Sequence, residues 1–192
     1  MPAAPGWCLD GDVIVLGALR VTVERMAASH WRPDARLRSW GPAPMQRDHD
    51  AVLVPCATDE CLWLGTWLED DAMADTSGGP PAGATAAPVA DAMTSGSPAR
   101  IAVHDPANGA RAVAALPETY QLGTLRSAHA LPAPLQRAPA DASRRLRLEL
   151  ECGAARAALE LILLPPAAWA ARAHRPPPAP LDAPPPLPPR LA

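Results

Sequence analysis

At 192 residues the chain is long enough for one ordinary domain with a substantial core. All 17 of its basic residues are Arg, so lysine-dependent Schiff-base chemistry is excluded. The net charge of −3 argues against a general nucleic-acid binder, which needs a basic excess to neutralise phosphates. The lack of Lys and Phe, beside 26 Pro, reads as the mark of a GC-rich coding sequence and carries no function by itself.

The first residues, MPAAPGWCLDGD, have neither a basic start nor an apolar h-region. No run approaches the roughly 20 apolar residues that span a bilayer. A cytoplasmic protein without a membrane span is expected. Cys8, Cys56, Cys61 and Cys152 are too few for a disulfide scaffold in a chain of this size.

In chain order, Val13–Leu16 and Leu19–Val23 flank Gly17-Ala18, a pair suited to a type II′ hairpin turn because Gly takes positive φ at little cost. Residues 27–46 have weak periodicity and three prolines; they read as a loop, a short strand around Ala35–Trp40 and a turn, delimited by Pro33 and Pro42. The stretch 49–71 is the densest apolar run. It reads as a strand at Ala51–Val54, a polar turn at Ala57–Glu60 and a second strand at Cys61–Leu68. Alternation sends Cys61, Trp63 and Trp67 to one face of that second strand and Leu62, Leu64 and Leu68 to the other. Both faces are apolar, so the strand is expected to be covered on both sides and central to the fold.

Residues 72–99 are small, polar and rich in Pro and Gly, and are expected to be flexible. Order resumes at Arg100, with a hairpin about Pro106-Ala107-Asn108-Gly109, a strand at Tyr120–Leu125 and a Pro-rich loop over 131–140. Arg145–Cys152 alternates Leu146, Leu148, Leu150 with Arg145, Arg147, Glu149 and Glu151, as a half-buried strand does. Gly153 turns the chain, and Leu159, Leu161 and Leu163 continue the inner face on a partner strand; helical spacing over Ala154–Leu161 is the competing pattern. Pro165-Pro166 starts a short helix through Ala173. The last residues, from 175, are too Pro-rich for helix or sheet. The expected fold is mainly β, an antiparallel β-sandwich or jelly roll with a short C-terminal helix and a Pro-rich tail. Its organisation is one β-rich domain over 1–174, interrupted at 72–99, then a disordered tail over 175–192.

Chemistry is thinly marked. Cys56-x4-Cys61 resembles half of a zinc site, but a second ligand pair is missing nearby, and packing is the stronger reading. His104-Asp105 with His129, or His49 between Asp48 and Asp50, would supply a base or two ligands; each also suits a polar turn. Asp10/Asp12, Asp59-Glu60 and Glu69-Asp70-Asp71 read as solvated turns, since they lack calcium-loop spacing. The Arg144-Arg145-Arg147 group reads as a mixed-charge solvent face with Glu149 and Glu151. Phosphate-binding glycine loops and a Gly-x-Ser-x-Gly elbow are absent from the sequence. Trp31, Trp40, Trp63 and Trp67 suit a core or a protein interface better than a stacking platform. Pro185-x-x-Pro188-x-Arg190 has PxxP spacing that arises readily in such sequence.

The reading that follows is a non-catalytic binding or assembly module that engages a protein partner, or a second copy, through an apolar, Trp-bearing sheet face. Its candidate contact residues are Trp63, Trp67, Trp40, His104, Asp105 and His129. No catalytic residue, metal, cofactor, nucleic acid or membrane span is assigned. The alternative is a small-molecule or metal-dependent enzyme with a His104/His129 site.

Overall fold

The computed structural model describes residues 6–33, 35–69, 99–117 and 120–181. The segment expected to be flexible, apart from Ala99, and the tail from 182 onward lie outside the described residues. Thirteen strands run in chain order among those described. They are β1 (Cys8–Asp10), β2 (Val13–Leu16), β3 (Leu19–Ala27), β4 (Gln46–Asp48), β5 (Ala51–Pro55), β6 (Glu60–Leu68), β7 (Arg100–His104), β8 (Arg111–Ala115), β9 (Gln121–Leu122), β10 (Thr124–Leu125), β11 (Ala133–Pro134), β12 (Arg144–Cys152) and β13 (Ala155–Leu164). A 3₁₀ turn at Ala28–His30 and one helix, α1 (Pro166–Ala173), complete them. The chain is therefore mainly β, as its alternation and turn chemistry predict.

The strands form a five-stranded sheet, β1-β2-β3-β6-β9, a six-stranded sheet, β4-β5-β13-β12-β7-β8, and a small β10-β11 pair. Pairing is antiparallel except between β5 and β13. One apolar cluster draws Ile14, Leu19, Val21, Leu62 and Leu64 from the first sheet, and Val52, Ile101, Leu148, Leu159 and Leu161 from the second. The two sheets thus bury their inner faces on a common core in a sandwich-like arrangement.

Local chemistry places the hairpins. Gly17 has a φ of 57° while Ala18 stays negative, the pattern of a type II′ turn, and Leu16 lies opposite Leu19. Gly109 and Gly153 take positive φ at the turns of β7–β8 and β12–β13. The Leu residues at 146, 148 and 150 on β12, and 159, 161 and 163 on β13, are buried in the shared core. Residues 155–164 are therefore a strand, and the competing helical pattern is not used. In α1 Pro166 occupies the first turn, where its missing N–H costs nothing.

Three expectations are corrected. The strand at Ala51–Val54 and that at Cys61–Leu68 do not pair with each other: β5 joins the six-stranded sheet and β6 the five-stranded one. The turn between them is a crossing from one sheet to the other. Cys56 N–H extends the β5–β13 ladder by donating to Leu164 O at 2.8 Å, and only then does the chain leave that sheet. Both strands are apolar on both faces, so alternation cannot say which sheet each joins. Second, 35–40 forms no strand. The backbone of Leu37 is satisfied by a side chain instead: its N–H donates to Gln121 Oε1 and its carbonyl accepts from Gln121 Nε2, both at 3.1 Å. Third, the single strand at 120–125 is two short ones with different neighbours, β9 on β6 and β10 on β11, divided at Gly123.

Candidate functional site

The outer face of the five-stranded sheet is set by register. Glu24 lies opposite Trp63, Thr22 opposite Gly65 and Arg20 opposite Trp67; Gln121 flanks Gly65 on the other side. Residues directly opposite share a face, so these side chains form three rows across β3, β6 and β9.

The first row is roofed. Trp63 is only 7% exposed and packs with Met26, Leu37 and Cys61, while Trp31 and Trp40 close over them from the 31–41 loop. Trp63 Nε1 donates to Arg38 O at 3.0 Å, satisfying the indole. Ser39 ties the loop down: its hydroxyl bonds the Glu24 carboxylate and accepts from Gly41 N–H at 2.9 Å. His30 meets Trp40 edge to face, with centroids 5.3 Å apart. Gly123 is required beside Trp63, because a Cβ there would lie 2.5 Å from Leu37 and 2.7 Å from the Trp63 Cβ.

The last row is open. Gly65 places no side chain between the two tryptophans; a Cβ there would lie 2.8 Å from Thr22 Oγ1. Trp67 and Leu68, at the end of β6, are each 39% exposed. Thr66 N–H donates to Tyr120 O at 3.0 Å, which holds the exposed Tyr120 at the same end. Arg20 beside Trp67 is paired with Glu69 and hydrogen-bonded to Gly17 O.

A cleft of about 410 Å³ lies where β8, the edge of one sheet, faces β9 and β10. Leu37, Arg111, Val113, Gln121, Thr124 and Arg126 are among the residues that line it. Arg111 and Arg126 sit directly opposite each other in an antiparallel bridge, with reciprocal N–H···O bonds of 2.8 and 2.9 Å.

The sequence-derived candidates separate. Trp63 is core, Trp40 is a half-buried part of its roof, and Trp67 is the exposed member. His104 Nε2 lies 3.4 Å from Glu149 on the outer face of the six-stranded sheet, at ion-pair distance although not in hydrogen-bond geometry. Its neighbour Asp105 points the other way and is buried: one oxygen accepts from Ala107 N–H at 2.9 Å, the other from Arg144 at 2.7 Å. It braces the 105–110 turn. His129 is exposed, with its backbone N–H 3.4 Å from Ser127 Oγ. His49 is a positive-φ turn residue between β4 and β5. Cys56 and Cys61 are buried free thiols. Desolvation pushes the Cys56 thiol up to about 11 and that of Cys61 up to about 12, so both stay protonated and unreactive at neutral pH. Among the described residues no group of three His, Cys, Asp or Glu is placed to hold a metal ion.

Two features escaped the sequence. Arg25 and Glu60 form a buried ion pair at 2.5 Å, and Arg25 also donates to Ala179 O at 2.8 Å. Arg111 and Arg126 are brought together through an intervening pair of strands. In both cases the partners lie far apart in the chain and no local motif marks them.

Among the described residues the fold is a two-sheet β protein with Trp67 exposed at one end of the five-stranded sheet. Comparison with family models, curated proteins and solved structures finds no match. Among the described residues no helix is long and apolar enough to cross a membrane.

Proposed function

We propose that this chain is a non-catalytic binding module for a cytoplasmic protein partner, and that the partner seats on the open end of the five-stranded sheet's outer face at Trp67. The observation that carries this reading is the contrast along one strand. Trp63 is roofed and its indole satisfied, while Trp67, two pleats away, lies exposed beside the gap at Gly65. A large aromatic surface with a polar rim is the usual centre of a protein interface. The formal charge of −3 favours a protein over nucleic acid. The enzymatic alternative draws no support from His104 and His129, since the first lies on the outer face of the six-stranded sheet and the second stands on an exposed turn.

The test is affinity capture from native cells with wild type and Trp67→Ala, with unfolding midpoints measured in parallel. Trp67→Ala should lose the captured protein while its stability changes by less than about 1 kcal/mol, as expected for a surface substitution. Undiminished capture by that variant would sink the proposal.

A further inference from the structure

The seam between the two sheets holds a second, independent surface. In the β7–β8 ladder, Asp105 N–H donates to Ala110 O at 2.8 Å and Leu116 N–H to Ala99 O at 2.9 Å. Alternation then turns the N–H and C=O groups of Ala112 and Ala114 toward β7, and those of Arg111, Val113 and Ala115 away from it. Arg111 uses its outward groups on Arg126. Beyond that bridge the two chains part, and the 410 Å³ cleft opens. The outward groups of Val113 and Ala115 make no backbone hydrogen bond among the described residues. Val113 is also an exposed large apolar side chain of β8. A sheet edge with unpaired backbone groups is a template for an added strand.

The charge at the head of this cleft selects what it would take. Arg111 stands opposite Arg126 across the bridge, at the mouth of the cleft that both line. Inward from Arg111 that row continues through His104 to Arg147, so no carboxylate stands next to Arg111 in it, and Glu149 of the neighbouring row is paired with Arg147 at 3.1 Å. The Arg111 guanidinium makes no hydrogen bond or ion pair among the described residues. Gln121 and Thr124 add polar groups to the floor.

We propose that this seam is a docking site for an extended acidic segment of a partner protein, added as a strand to the edge of β8 with its carboxylates against Arg111. Main-chain bonds to Val113 and Ala115 supply the strand pairing; the Arg111 guanidinium supplies the preference for acid. This does not depend on the Trp67 surface, and the test keeps the two apart.

The probe is a short fluorescein-labelled peptide of alternating Glu and Thr, compared by anisotropy with its Lys-Thr counterpart. The acidic peptide should bind and the basic one should not, and binding should weaken as salt screens the charges. Arg111→Glu should weaken binding by about tenfold or more, about 1.4 kcal/mol. Val113→Pro removes the outward N–H on an edge strand, where proline is tolerated, and should abolish binding. A peptide N-methylated at alternate positions reads the same bonds without altering the protein, and should also fail to bind. Trp67→Ala should bind the peptide as wild type does. Equal binding of acidic and basic peptides, no binding of either, or indifference to N-methylation would overturn the proposal. So would sedimentation showing that wild type dimerises and Val113→Pro does not, since a second copy would then occupy the edge.

Discussion

The two sheets bury similar inner faces and treat their outer faces differently. On the six-stranded sheet, α1 covers Leu53, Ile162 and Leu164 with the fully buried Trp169, whose indole donates to Leu53 O at 3.1 Å. The rest of that face is charged, with Arg145 paired to Glu160, Arg147 to Glu149 and Arg156 to Glu151. Water can satisfy such a face, so no further cover is needed. On the five-stranded sheet the cover is an irregular loop, pinned by Ser39, Gln121 and the indole of Trp63. It ends before Trp67. Away from its β8 edge the six-stranded sheet reads as a finished surface, and the five-stranded one as a surface finished at one end only.

The contrast breaks if the loop is a looser cover than the helix. Trp63→Ala and Trp169→Ala should each cost about 3–5 kcal/mol in urea unfolding, the range for large aromatic truncations in a core. A cost near zero for Trp63 alone would show that the loop does not seal its face. Glu60→Gln tests the end of β6 where the two sheets are joined. Removing one charge from the buried pair strands Arg25, so a loss of about 3 kcal/mol is expected in thermal unfolding. A neutral outcome would mean that water reaches the pair.

Alkaline pH sharpens the comparison, because Cys56 sits in the shared core and Cys61 under the loop. Burial raises both thiols, to about 11 and about 12, from the ordinary value of 9.0. The unfolded chain therefore releases these protons first. Their contribution is fully present below about pH 9 and is lost as pH rises toward 11–12. With no Lys in the chain, few other groups titrate there. Unfolding midpoints should fall between pH 9 and 11, and the slope should flatten in a Cys56→Ala/Cys61→Ala double variant. An unchanged slope would refute the assignment. The smallest effect belongs to the charged face: Glu160→Ala should change stability by at most about 0.5 kcal/mol, because it and Arg145 are both largely exposed. A larger loss would show that the ion pairs of this face are structural.

What the sequence by itself determined is what neighbours in the chain decide. The β12–β13 hairpin was legible from strict alternation and Gly153, the β7–β8 hairpin from Asn108-Gly109, and the start of α1 from Pro166. The exposed Trp67 belonged to the expected contact face, though Trp63, assigned to the same face, proved to be roofed. The tertiary structure alone decided which sheet β5 and β6 join, because strands apolar on both faces carry no label for their partners. It alone decided that Gln121, far along the chain, would satisfy Leu37 in place of a strand, and that Gly123 would split the 120–125 segment where Trp63 and Leu37 close in. It also set Arg111 against Arg126 at the seam. Each of these depends on which surfaces meet after the two sheets share a core, and alternation within a strand does not encode that meeting.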